Sequence, residues 1–134
     1  MKPKYLFALL LIIGAAVSLL SSCKDSITAT QIDTTIIPSS NVSFAKYIQP
    51  VINLKCVSCH GINETDGGVN LTTWAGVTDP SIVTKGFPDN SPLVWSVEGK
   101  AGFTMPPAGS SYLPFNTNQV NGLKTWIKEG AKNN

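Results

Sequence analysis

Cys56-Val57-Ser58-Cys59-His60 is the stretch on which the reading of this chain turns. Two thiols stand two residues apart, and an imidazole follows the second. C-x-x-C-H is the spacing of covalent c-type haem attachment. The thiols of Cys56 and Cys59 add across the two vinyl groups as thioethers, and His60 turns onto the iron as proximal ligand. The main rival is a thioredoxin-like dithiol, which belongs at the strand–helix junction of a βαβ unit. A helical pattern precedes Cys56, and no βαβ pattern follows. A zinc site would need a fourth ligand, and beyond Cys23 the chain offers no other Cys or His.

His60 is the only histidine in the chain, which excludes a second histidine ligand. Met105 is the only methionine besides Met1, and it sits in Phe103-Thr104-Met105-Pro106-Pro107. A lone Met is ordinarily a gap-filler of apolar cores. Here it is the one other soft ligand on offer, two prolines stiffen the loop behind it, and 45 positions separate it from His60, enough to circle a haem. Met105 is therefore the expected distal ligand. A Met/His pair raises the reduction potential relative to bis-His. It also closes the iron to substrates, which is the logic of electron transfer rather than catalysis.

Upstream of the motif, Ser43 is a good N-cap, and Phe44, Ile48 and Val51 repeat on one helical face with Tyr47 beside them. Pro50 should kink this helix or split it in two, leaving the cysteines at or just past its end. Downstream, residues 61–115 carry most of the Gly and Pro. Short helices are expected at 72–77 and 91–97, and long strands are not. So long a loop region is unusual in a small domain, unless a large apolar cofactor serves as the core it wraps. The last element starts near Asn116–Asn118. Val120, Leu123, Trp126 and Ile127 share a face, Lys124, Lys128 and Glu129 oppose it, and Gly130 ends it. Without any Arg, candidate propionate partners are Trp74, Trp95, Asn70, Asn90, Tyr112 and nearby Lys.

The chain opens Met1-Lys2-Pro3-Lys4, then runs apolar and uncharged for 16 residues from Tyr5 to Leu20. That is short of the roughly 20 residues that span a bilayer, and fits the apolar region of a signal peptide over residues 1–22. Leu20-Ser21-Ser22-Cys23 resembles a bacterial lipobox, which implies cleavage before Cys23 and lipidation of that residue; two or more acyl chains hold a membrane stably where one does not. Residues 24–41 are rich in Thr and Ser and lack a clear period, so residues 23–42 read as lipidated Cys plus flexible tether. Such an 18-residue segment would average about 23 Å end to end and stretch to about 60 Å. With the leader removed, eight Lys face eight Asp or Glu, and a basic nucleic-acid patch is not supported. Each cysteine has a role, so none is left for a disulfide.

In this order the motifs resemble a known family, the monohaem class I-like cytochrome c domains of Planctomycetes and Bacteroidota lipoproteins. The resemblance runs from about Ser43 to Lys132. It is carried by Cys56-x-x-Cys59-His60-Gly61, Gly67-Gly68-Val69-Asn70-Leu71, Ser91-Pro92-Leu93, Met105-Pro106-Pro107 and Trp126-Ile127-Lys128-Glu129-Gly130-Ala131. It implies an all-α haem fold over residues 43–134, with N- and C-terminal helices crossing and loops wrapping one covalent haem c. It also implies His60 and Met105 as axial ligands and electron transfer as activity. Gly86-Phe87-Pro88-Asp89 departs from the Gly-Asp-Pro of many members, leaving the propionate contacts open.

The expected protein is thus a lipid-anchored electron carrier serving redox protein partners. It would be exported to a periplasmic or cell-surface face, and Lys24 after the lipid Cys is compatible with transport to the outer membrane. Two other readings stay open: a haem-based ligand-binding or sensing module, and an accessory lipoprotein with a structural haem. An enzyme has least support, because there is no acid–base cluster.

Overall fold

The computed structural model describes residues 28–63 and 65–134. The expected signal peptide, the lipid site Cys23 and positions 24–27 lie outside the described residues. Among those described there is no strand, only an isolated bridge between His60 and Thr65. The fold is all-α, as expected. No described helix is long and apolar enough to cross a membrane.

The first helix among the described residues, α1 (Ala29–Thr34), is closed by a capping box between Thr28 and Gln31. Ser43 then caps a helical stretch as its spacing predicted, accepting from the Lys46 amide at 3.2 Å. The stretch comes in two pieces. Phe44–Ile48 is a wide, π-type turn, and α2 (Gln49–Lys55) continues from it with Pro50 in its first turn. Pro50 has no N–H to return to the preceding turn and its ring crowds that turn's carbonyl. The backbone widens instead, and the Gln49 amide reaches Phe44 O. Two short helices follow in the loop region, α3 (Trp74–Val77) and α4 (Pro92–Val97). The last helix, α5 (Thr117–Lys128), starts at an Asn116–Gln119 capping box.

The core forms where the Phe44–Lys55 stretch crosses α5. Phe44 stacks on Trp126 with ring centroids 5.2 Å apart. Ile48, Ile52, Leu123 and Ile127 are buried around them, and Val77 and Val94 close the cluster from α3 and α4. Trp126 is fully buried, yet its indole N–H donates to Lys132 O at 2.9 Å, so its large apolar area is gained without an orphaned donor. The C-terminus completes the entry to the fold: Asn134 accepts from the Ser43 hydroxyl, the Phe44 amide and the Ala45 amide.

The segment expected to be a flexible tether is not free once it is described. Besides forming α1, it lays residues 32–42 along α5 as a strap, with Ile37 and Val42 buried. The helix supplies the bonds that the strap's own sequence does not announce. The Asn118 side chain both accepts from the Ile37 amide (2.8 Å) and donates to its carbonyl (3.1 Å). Both carboxylate oxygens of Glu129 accept from the Asn41 and Val42 amides. Gly122 is bare where Ile37 lies against it: a Cβ there would stand 2.5 Å from Ile37 Cγ2.

Candidate functional site

The Cys56–His60 motif is the frayed end of α2. The amides of Cys59 and His60 both turn back to Cys56 O, at 3.1 and 2.8 Å. His60 O accepts from the Leu71 amide at 2.8 Å, tying the motif to the far side of the following loop. Gly67 sits at φ +65 in the turn after Asp66, a left-handed conformation that glycine adopts without steric cost. This turn brings Asp66 O to 3.1 Å from His60 Nδ1. A carbonyl can only accept, so this bond needs the proton on Nδ1; in the neutral ring Nε2 then keeps its lone pair, the arrangement of a ligating histidine.

Beside the motif opens a cavity of about 340 Å³, at the low end of the roughly 300–1,000 Å³ of cofactor sites. Its wall is almost wholly apolar, built by Val69, Leu71, Ile82, Leu93, Val97 and Phe103. The Leu93 amide bonds Ile82 O and the Met105 amide bonds Ser96 O, at 3.0 and 2.9 Å, so the loops of the wall are pinned to one another and to α4. Cys56, His60 and Met105 all line this one space, although 45 positions of chain separate the last two. Cys59 does not line it; its thiol is exposed. The Met105–Pro106 bond is cis.

Burial pushes the Cys56 thiol up to about 12, outweighing the opposing pull of Lys55. A neutral, desolvated thiol is the reverse of the electropositive, partly exposed setting that activates a redox or nucleophilic cysteine. Cys56 and Cys59 are unpaired. Among the described residues no three His, Cys, Asp or Glu side chains gather as a metal ion would require. The residues that face the cavity fit a haem in kind: one thiol, one imidazole, one thioether and an apolar wall, with the second thiol, Cys59, outside it.

The suggested propionate partners stand away from the cavity. Trp74 and Trp95 spend their indole N–H groups on Ala131 O (2.9 Å) and Asp89 O (2.6 Å). Asn70 Oδ1 accepts from the Thr72 amide and hydroxyl. None of these lines the cavity, and neither do Asn90 and Tyr112.

One residue was overlooked. Lys55, next to Cys56, has a side chain only 1% exposed. Its ammonium bonds Asp33 Oδ1 at 2.7 Å, Leu113 O at 3.0 Å and Pro114 O at 3.2 Å, a partner for each of its three N–H donors. The signal was available: Lys55 falls four positions after Val51 and seven after Ile48, on the apolar stripe itself. A lysine there is buried only if fully partnered.

No curated protein and no solved structure matches the chain. Residues 56–109, from the first cysteine of the motif to just past the Met105 loop, match the family model described as Planctomycete cytochrome C, a match consistent with a cytochrome c-like domain over that stretch.

Proposed function

We propose that this protein is a membrane-tethered, monohaem electron carrier whose iron is ligated by His60 and Met105. The observation that carries the reading is the convergence of Cys56, His60 and Met105 on one apolar cavity. Cys56 and Cys59 would hold the haem as thioethers. His60 would bind through Nε2, with the Asp66 carbonyl fixing its tautomer and ring orientation. Met105 would come from the opposite arm of the loop region. When bound, the haem supplies reversible one-electron chemistry, and the chain's part is attachment, ligation and water exclusion. Filling both axial positions leaves no site for a substrate, which favours a carrier over an enzyme. Partners would be other redox proteins on a periplasmic or cell-surface face, reached from a lipid anchor at Cys23.

A pyridine haemochrome spectrum with the intact mass of protein purified from membranes tests attachment and anchoring together. The expected result is one c-type haem per chain and a mass equal to residues 23–134 plus haem and acyl groups. A haem that extracts into acidified butanone would overturn the thioether assignment. A mass that includes residues 1–22, or lacks acyl groups, would overturn the anchor. Rapid CO binding to the reduced protein at neutral pH would instead point to a ligand-binding module.

A further inference from the structure

We propose that Lys55 is a positioning residue that holds the Met105 arm against the haem-attachment helix, and that Asp33 makes this hold depend on the N-terminal strap. The link to the iron rests on the reading of Met105 as its ligand; the mechanical claim does not.

The arm, residues 105–115, has few ties. At its start the Met105 amide bonds Ser96 O at 2.9 Å. Its middle bonds only itself: the Ser110 amide to Pro107 O, the Tyr112 amide to Ser110 Oγ, and the Ser110 hydroxyl to Tyr112 O. At its end Leu113 O and Pro114 O accept from Lys55 Nζ. Among the described residues, hydrogen bonds therefore tie the arm to the rest of the fold at Ser96 and at Lys55 alone. Lys55 is also the last residue of α2, adjacent to Cys56. One ammonium thus spans from the segment that carries the thiols and His60 to the loop that carries Met105.

Two carbonyls do not neutralise a buried ammonium. Its third bond goes to the Asp33 carboxylate, one of the last residues of α1. Gln119 Nε2 of α5 holds the same carboxylate oxygen at 3.0 Å, and Asn116 Nδ2 holds the Asp33 carbonyl at 3.0 Å. Undocking the strap would strip the counter-charge from Lys55. The ammonium would then turn toward water and release Leu113 and Pro114. The state of the strap is in this way transmitted to the Met105 arm.

The test uses the haem-loaded protein with Lys55→Met, which keeps the apolar stem and removes the donors, and Asp33→Asn, which removes only the charge. Chymotryptic cleavage after Tyr112 reports opening of the arm. It should rise about tenfold in Lys55→Met, the size expected for losing hydrogen bonds to a charged group, and less in Asp33→Asn. Cleavage after Trp126 and the far-UV circular dichroism should stay as in the wild type. The near-infrared Met–iron band should weaken, and CO should bind the reduced variants faster. Wild-type cleavage in both variants would overturn the proposal, as would equal acceleration after Trp126, which would mark a loss of general stability. If Lys55→Met does not accumulate, Asp33→Asn decides by the same readouts. A wild-type protein with no Met–iron band would refute the ligand reading alone, since the cleavage comparison judges the Lys55 tie without it.

Discussion

At His60 the protein has already made the choice a ligand must make. The Asp66 carbonyl lies 3.1 Å from Nδ1 and can only accept from it, which in the neutral ring leaves the Nε2 lone pair for the proposed iron. Met105 is the one thioether among the residues that line the same cavity. In Met105→Ala the near-infrared band of Met–haem ligation should vanish and the reduction potential should fall; an unchanged spectrum would refute Met105 as ligand. Both were legible as candidates, because each is a type with almost no competitors in the chain. Lys55 was not, although it lies on a stripe that could be read. A charged side chain at the end of a short helix is usually solvated, and nothing local shows that two carbonyls almost sixty positions later, and an aspartate from the other direction, will complete its shell.

Among the elements, the helices on either side of the haem motif were visible from caps, periodicity and proline, and the split at Pro50 followed from its missing N–H. The strap was not visible. Its order comes from side chains of α5 and its C-cap, notably Asn118, Gln119 and Glu129, so its own Ser/Thr-rich sequence carries no repeating pattern. Gly122 is the element-level counterpart of this docking. Gly122→Ala should gain about 1 kcal/mol of helix propensity but force Ile37 away, since three atoms of that side chain lie within 2.9 Å of the added Cβ. Overpacking of this kind costs about 1–3 kcal/mol. The expected net effect is a melting temperature lowered by several degrees, roughly 4–8 °C per kcal/mol in a small domain, with earlier proteolysis in residues 35–42. A variant that melts higher than the wild type would show that the strap yields at no cost.

At the scale of the whole molecule, ion pairs join elements distant in sequence, and they set the response to acid. Lys124 on α5 bridges Asp89 (2.7 Å) and Glu98 (3.3 Å), and Lys55 bridges Asp33. Burial alone would raise the Asp33 carboxyl, but bonds from Lys55 and Gln119 outweigh it and hold it below its ordinary 3.8. The bond from Lys100, then that from Lys124, lower Glu98 below its ordinary 4.5 against the opposing effect of burial. Groups whose folded values lie below their unfolded ones stabilise the fold above the unfolded values. That contribution is lost as pH falls through the folded values. The urea midpoint should therefore be flat near neutrality and decline below about pH 4. In Asp33→Asn the midpoint at neutral pH should be lower and the acid decline shallower. An equally steep decline in that variant would show that Asp33 takes no part.

The closure of the N-terminal stretch onto α5 also bears on how the chain comes to be folded in time. Phe44, Ile48 and Ile52 find their cover in Leu123, Trp126 and Ile127, and Ser43, Phe44 and Ala45 are completed by Asn134. A polypeptide that emerges N-terminus first cannot bury its Phe44–Ile52 face in this way until residues 123–134 are free. Contacts of such long sequence separation form late. Throughout synthesis Cys56, Cys59 and His60 therefore travel on an open thread, and the domain closes only when α5 is added.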